Sequence, residues 1–310
     1  MQTILVTGGT GFVGRDLCVR ILEAGMRPVV FSIDVDPDGS ALPEGTAAIR
    51  GDVTDPVEVR AALDDWSPQG VVHMASFGIG GRGLLASADL DRRKAVDVNV
   101  MGFTTMAEAA IDAGVDRFVL TSSLTVYGGP AARAQERSDE TVPPQPESLY
   151  GATKAACETL AVPLFARGET GFVALRFPTI YGSNRYPGSQ PGLVQFVDDV
   201  ADGRPAVLEA TEAPFDWIHV TDASNAVVRA LGTSTSFDLY NVIGHTSSVA
   251  EMGRVAAEYA TAPATVEVVE SDADAPPLMN GARAETELGF VAQYDLHSGM
   301  RQYVRTAGSS

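Results

Sequence analysis

An α/β fold built on a doubly wound parallel sheet is predicted by three observations. Short β-branched runs alternate with helical stretches through the first half of the chain, a glycine-rich turn joins the first run to the first helix, and six such runs can lie parallel. The first strand is expected over Thr3 to Thr7, followed by the turn and a helix from about Phe12 to Ala24. Further strands are expected at Pro28 to Ile33, Ala47 to Arg50, Val71 to Met74, Arg117 to Thr121 and Phe172 to Phe177. Helices near Pro56 to Asp64, Ser87 to Ala113 and Leu149 to Ala166 separate them. A loop rich in Gly, Pro, Tyr and Asn then spans Pro178 to Gly192 and gives way to short mixed elements. Among these, Ser248 with Glu251 forms a capping-box pattern, and Glu285 to Leu288 before Gly289 reads as a helix ending on a glycine cap. The expected division is a sheet domain over 1–177 and a smaller α/β substrate lobe over 178–310, packed on the sheet's carboxyl edge, with some later elements returning to the first domain.

Composition narrows the class of partner. The chain has 310 residues, 45% hydrophobic and 20% charged, as in ordinary globular proteins. A formal net charge of −18, with Lys94 and Lys154 the only lysines, argues against nucleic acid, whose binding needs clustered positive charge. Cys18 and Cys157 fall in helical patterns without metal-site spacing, so no metal site is expected and a reduced thiol pair is the default. With no basic leader and no long apolar run, neither secretion nor a membrane is expected, and the cytoplasm is the expected location.

The turn Thr7-Gly8-Gly9-Thr10-Gly11-Phe12-Val13-Gly14 follows a strand and opens a helix. In that context Gly8, Gly11 and Gly14 allow a tight turn and close backbone approach, while the helix amides favour a pyrophosphate. A carboxylate for the adenine ribose is expected at the end of the second strand, where Asp34 is the natural candidate and Asp36 competes. No Arg or Lys lies between Val29 and Ile49 to meet a 2′-phosphate, which favours NAD over NADP. Asp52 and Val53, after the third strand, are candidates for the adenine, or else a turn and helix start before Pro56.

Tyr150 and Lys154 stand four residues apart, which on a helix places both on one face about 6 Å apart along the axis. An ammonium there is expected to lower the pKa of the phenol, so that it can exchange a proton with an alcohol or ketone near neutral pH.

Together with these, Gly51-Asp52-Val53, His73-Met74-Ala75-Ser76, Asn99 and Thr121 to Gly128 resemble the extended short-chain dehydrogenase/reductase family, the NAD-dependent epimerases and dehydratases. Leu175 to Gly182, Phe215 to Asp222 and Glu287 to Phe290 carry the resemblance over nearly the whole chain. It implies a Rossmann-type sheet, NAD, and a catalytic set of Ser123, Tyr150 and Lys154. Tyr150 would be the acid/base, Lys154 would bind the nicotinamide ribose, and Ser123 would bond the reacting oxygen, with Ser122 and Thr125 as possible substitutes. Asn99 would brace a helix near the lysine, Pro178 would meet the nicotinamide amide, and Ala75 and Ser76 would line the second ribose. A homodimer through the helices 87–113 and 149–166 is also implied.

Departures from the family pattern bear on the substrate. Leu124 and Thr125 replace the carboxylates that dehydratases carry after the active serine, which favours simple oxidation or epimerisation. Phe215 stands where nucleotide-sugar enzymes usually show an arginine, Glu209 and Glu212 lie just upstream, and Thr179 replaces an asparagine. The expected substrate is therefore a small sugar, sugar acid or polyol without a nucleoside diphosphate. The alternatives are a nucleotide-sugar 4-epimerase with phosphate contacts from Arg185 or Arg204, and a non-catalytic dinucleotide sensor. Candidate substrate contacts are Phe77, Arg82, Ser123, Thr125, Thr179 and Arg185, with Trp217 as an apolar wall. Arg133 and Arg137 are expected to be solvated.

Overall fold

The computed structural model describes all residues except 36–41, 167, 184, 186–189, 271–274 and 308–310, so Asp36 lies outside the described residues. The strands are β1 (Thr3–Thr7), β2 (Arg27–Ser32), β3 (Ala47–Arg50), β4 (Gly70–His73), β5 (Arg117–Ser123), β6 (Gly171–Phe177), β7 (Thr179–Tyr181), β8 (Ala206–Ala210), β9 (Pro214–His219), β10 (Phe237–Asn241), β11 (His245–Ser248) and β12 (Ala264–Val268). The helices are α1 (Phe12–Glu23), α2 (Pro56–Trp66), α3 (Leu84–Leu90), α4 (Arg92–Val96), α5 (Gly102–Asp112), α6 (Gly129–Arg133), α7 (Leu149–Phe165), α8 (Pro191–Ala201), α9 (Val220–Gly232), α10 (Val249–Ala257), α11 (Ala282–Glu287) and α12 (Leu296–Ala307).

Seven parallel strands form the main sheet in the order β10-β6-β5-β4-β1-β2-β3. The order reverses beside β1, which opens a crevice at the carboxyl ends of β1 and β4. Successive strand residues face opposite sides. Leu5, Val71, Phe118 and Leu120 pack with α2, α5 and α7, whereas Ile4, Val6, Val72 and Val119 pack with α1 and α9. A three-stranded sheet, β11-β9-β7, and a two-stranded one, β12-β8, enclose a separate core with α8, α10 and α12.

The sequence leads to six sheet strands, and the structure adds β10, which pairs with β6 after about sixty intervening residues. The expected continuous helix 87–113 is instead broken. At Asp91 the backbone leaves the helical region (φ −135°, ψ 84°), and its carboxylate caps α4 by accepting from Lys94 N at 3.0 Å. A π-helical turn, Asp97–Met101, then leads into α5. Ser248 caps α10 by accepting from Glu251 N at 2.9 Å, and Gly289 takes φ +63° just after α11.

Candidate active site

The glycine turn divides its roles by crowding. A Cβ at position 14 would lie 2.5 Å from the Gly8 carbonyl oxygen and the Gly9 Cα, so Gly14 lets α1 sit against the turn. Gly8 takes φ +69°, and a Cβ there would lie 3.0 Å from Ala75 N. At Gly11 a Cβ would meet only the Gly8 carbonyl oxygen, at 3.3 Å. Gly11 is also the N-cap of α1, with no side-chain cap and no acidic residue in the first turn, so the amides of Phe12 and Val13 and the positive helix end stay available to an anion. A dinucleotide pyrophosphate fits this cradle.

Asp34 is exposed just past β2, its amide donating to Ser32 Oγ at 3.2 Å, and its carboxylate is open to a ribose. Asp52 Oδ1 accepts from Thr54 N at 2.8 Å and from Thr54 Oγ1 at 2.7 Å. Burial opposes its charge, but these bonds and the nearby Lys94 hold it below the usual carboxylate range. Val53 is buried, and its side chain fills the space that a Cβ at Gly102 would need. The turn-forming alternative is thus realised at Asp52, while Val53 packs beneath it.

The other wall is tied to the cradle. Thr7 Oγ1 accepts from Met74 N and Ala75 N, each at 3.1 Å, which leaves its proton for His73 Nδ1 at 3.1 Å. Met74 and Ala75 therefore sit directly beside Gly8, with Ser76 next along the chain. Asn99 is buried in the π-helical turn. Its Oδ1 accepts from Phe77 N at 2.7 Å, and its Nδ2 donates to Thr153 Oγ1 at 3.0 Å. Its carbonyl accepts from Cys157 Sγ at 3.1 Å. With its side-chain amide engaged on both ends, Asn99 braces the 74–77 segment against α7 rather than facing a ligand.

Ser148 caps α7 by accepting from Gly151 N at 3.1 Å, which starts the helix one residue before Tyr150. Tyr150 and Lys154 are both buried on α7, and Lys154 Nζ lies 5.7 Å from the Tyr150 ring centroid. The expected lowering of the phenol is not found. Burial pushes Tyr150 up, Cys157 adds to this, and only Ser76 opposes it. The ammonium lies over the ring, 5.7 Å from its centroid, and burial also lowers Lys154, against Cys157 and Glu158.

Ser123 ends β5 and accepts from Thr125 N at 3.2 Å and from Thr125 Oγ1 at 3.0 Å. Its lone pairs are engaged, so its own proton is free to be donated outward. Ser122 points the other way, donating to Glu158 Oε1 at 2.6 Å in the core, and is not a substitute. Sequence reasoning passed over Gly151, whose Cβ would overlap the Thr125 carbonyl oxygen; its missing side chain lets α7 approach the Ser123 turn. The glycine directly after Tyr150 was the available signal.

Phe77 packs beside Tyr150, Pro178 is buried between β6 and β7, and Thr179 is half-buried on β7. Arg82 is exposed on the 77–83 loop. Arg185 is turned inward, donating to the Ile180 carbonyl, and burial lowers it to about 10 against Tyr303. Trp217 is fully buried in the second core and donates to the Ser247 carbonyl at 2.9 Å, so it walls no open site. Arg133 pairs with Glu147 at 2.8 Å on the surface. Arg137 is not the solvated group expected of it. It donates to Asp216 Oδ1 at 3.2 Å, the Met279 carbonyl at 2.8 Å and Thr246 Oγ1 at 2.8 Å, because the buried Asp216 carboxylate needs a counter-charge. Among the described residues no group of three or more His, Cys, Asp or Glu is arranged to hold a metal, and no helix is long and apolar enough to cross a membrane.

A glycine cradle at a sheet switch point, with serine, tyrosine and lysine beside it, defines a dinucleotide-dependent oxidoreductase class. The model of the NAD dependent epimerase/dehydratase family matches residues 4–242, and the chain belongs to that family. It is 27% identical to the UDP-glucose 4-epimerase of Rhizobium leguminosarum bv. trifolii, covering 95% of this chain and 94% of that protein. It is 32% identical to the short-chain dehydrogenase/reductase family 42E member 1 of Danio rerio, over 76% of this chain and 59% of the relative. The UDP-glucose 4-epimerase of Thermus thermophilus, solved in complex with NAD, superposes with a TM-score of 0.82 at 26% identity, covering 99% of each chain.

Proposed function

We propose that the protein is an NAD-dependent sugar 4-epimerase acting on a nucleotide sugar. The observation that carries this reading is the convergence of Ser123, Tyr150 and Lys154 at the carboxyl edge of the sheet, beside the Gly8 to Gly14 cradle. NAD held there would supply the hydride acceptor and, for an epimerisation, the hydride donor to the opposite face of the sugar carbon. Gly11 and the first amides of α1 hold the pyrophosphate, Asp34 the adenine ribose, and Lys154 the nicotinamide ribose. Tyr150 takes the proton of the substrate hydroxyl, while Ser123 donates its free proton to the same oxygen and steadies its developing charge. The full-length similarity to enzymes named UDP-glucose 4-epimerases supports a nucleotide sugar over the free sugar that Phe215 and Glu212 suggested from the sequence.

The smaller, unphosphorylated substrate remains the second reading, favoured by the charges on that side. Arg137 is committed to Asp216, Arg204 to Asp199 and Asp202, and Arg254 to Glu212. Calorimetric titration with uridine diphosphate separates the two: micromolar binding supports the nucleotide sugar, and silence supports the small substrate. Tyr150→Phe is expected to lower turnover by about 10²- to 10⁴-fold with NAD affinity retained, and unchanged turnover would remove Tyr150 from the mechanism. A homodimer also belongs to this proposal, because Leu90, Val96, Met101 and Val162 expose apolar side chains along the segments 84–101 and α7. Light scattering returning one chain mass would overturn it.

A further inference from the structure

We propose that Ser76 is a positioning residue for Tyr150, its unpartnered hydroxyl turning to donate a hydrogen bond to the phenol oxygen as this ionises and stabilising the phenolate that receives the substrate proton. The inference rests on the acid/base reading of Tyr150 given above. It adds a role for Ser76 beyond lining a cofactor ribose.

The Ser76 Oγ is buried and has no hydrogen-bond partner among the described residues, a costly state for a hydroxyl. Its backbone has little freedom to relieve this. On one side Thr7 holds Met74 and Ala75 at 3.1 Å, and on the other Asn99 Oδ1 holds Phe77 N at 2.7 Å. Phe77 packs in one cluster with Tyr150, so the segment that carries Ser76 lies against α7 at that side chain, and Ser76 is the hydroxyl within its reach. Within this arrangement Ser76 is the group that favours the ionised phenol, against burial.

The other donors near the phenol are differently placed. Lys154 Nζ faces the ring 5.7 Å from its centroid, and Ser123 is engaged with Thr125 at 3.0 and 3.2 Å. Ser123 has a single proton, and the substrate oxygen is its natural acceptor. A phenolate formed in this buried site needs its own donor, and the Ser76 hydroxyl has a proton with no other acceptor.

The test compares the wild-type holoenzyme with Ser76→Ala and Ser76→Thr. Tyr150 is followed by ¹³Cζ-tyrosine NMR, assigned with Tyr150→Phe, and kcat/KM is followed against pH. In Ser76→Ala the phenol midpoint and the acidic limb of the rate profile are expected to move up by about one pH unit. NAD affinity should stay within about twofold, and Ser76→Thr should restore both midpoints. If Ser76→Ala does not fold, Ser76→Cys, with its weaker donor, is read in the same way. Unchanged midpoints would overturn the proposal, as would weakened NAD binding with unchanged midpoints, which would return Ser76 to ribose contact alone. The phenol titration does not depend on turnover. An active Tyr150→Phe would therefore refute the acid/base reading, and an unmoved midpoint in Ser76→Ala would refute this one.

Discussion

Arg176 and Lys154 are both 3% exposed, and both lie against α7, yet the protein treats them in opposite ways. Arg176 is partnered through all three nitrogens: it donates to both oxygens of Glu158, at 2.9 and 2.6 Å, and to Tyr127 Oη at 2.6 Å. Tyr127 Oη passes its proton to the Asp139 carbonyl at 2.9 Å or to Asn241 Oδ1 at 3.0 Å. Burial disfavours the guanidinium charge, but Glu158 and Tyr127 more than offset this and push Arg176 upward. Lys154, one turn before Glu158 on the same helix, makes no hydrogen bond to the described residues, and burial lowers it. A buried cation that holds a fold together carries its partners with it, whereas one kept for chemistry leaves its donors for a ligand.

The sharpest way to break this contrast is to neutralise each cation in turn. Lys154→Met is expected to cut turnover by about 10²- to 10⁴-fold while leaving the thermal midpoint unchanged or raised, since it removes an unpaired buried charge. Calorimetric melting and steady-state rates check this, and a large loss of stability would mean that Lys154 is structural after all. Glu158→Ala should do the reverse, costing about 3–5 kcal/mol in denaturant unfolding because it strands Arg176 without its partner. A smaller effect is expected from Gly151→Ala, roughly 1–3 kcal/mol of overpacking against the Thr125 carbonyl. Rates should fall with stability in that variant, as α7 is pushed from the Ser123 turn, and intact activity would show that the approach is not needed.

Acid probes both regions at once. His73 is lowered to about 3 by burial and by Lys154, and His245 to about 4 by burial. Unfolded histidines titrate near 6.5, so below that pH the unfolded chain binds protons that the folded chain refuses. Stability should therefore fall as pH drops, by roughly 1.4 kcal/mol per pH unit for each histidine, until about pH 4 for His245 and about pH 3 for His73. Unfolding titrations in His73→Asn should lose one share of that slope. In Lys154→Met the limit set by His73 should move to higher pH, because the repelling ammonium is gone.

Legibility in the sequence followed the range of the interaction. Gly8, Gly11 and Gly14 could be read because backbone conformation and the missing Cβ act within one turn, and Tyr150 with Lys154 because helical spacing is local. The break at Asp91 was hidden, since a capping aspartate inside an otherwise helical pattern looks like any exposed charge. Strand β10 and the partners of Arg137 were out of reach for a different reason. Asp216 lies 79 residues from Arg137, and only the folded chain brings a buried carboxylate to that guanidinium. The direction of the Tyr150 shift was misread because spacing gives the distance between two groups but not how deeply both are buried.

Incubating the NAD-loaded enzyme with a UDP-hexose, while following reduced-cofactor absorbance and the configuration of the product, decides whether the protein epimerises a nucleotide sugar. Inversion at the sugar carbon is expected without net accumulation of reduced cofactor, and it should be lost in Tyr150→Phe. Stoichiometric release of reduced cofactor without inversion would contradict it and make the protein a dehydrogenase.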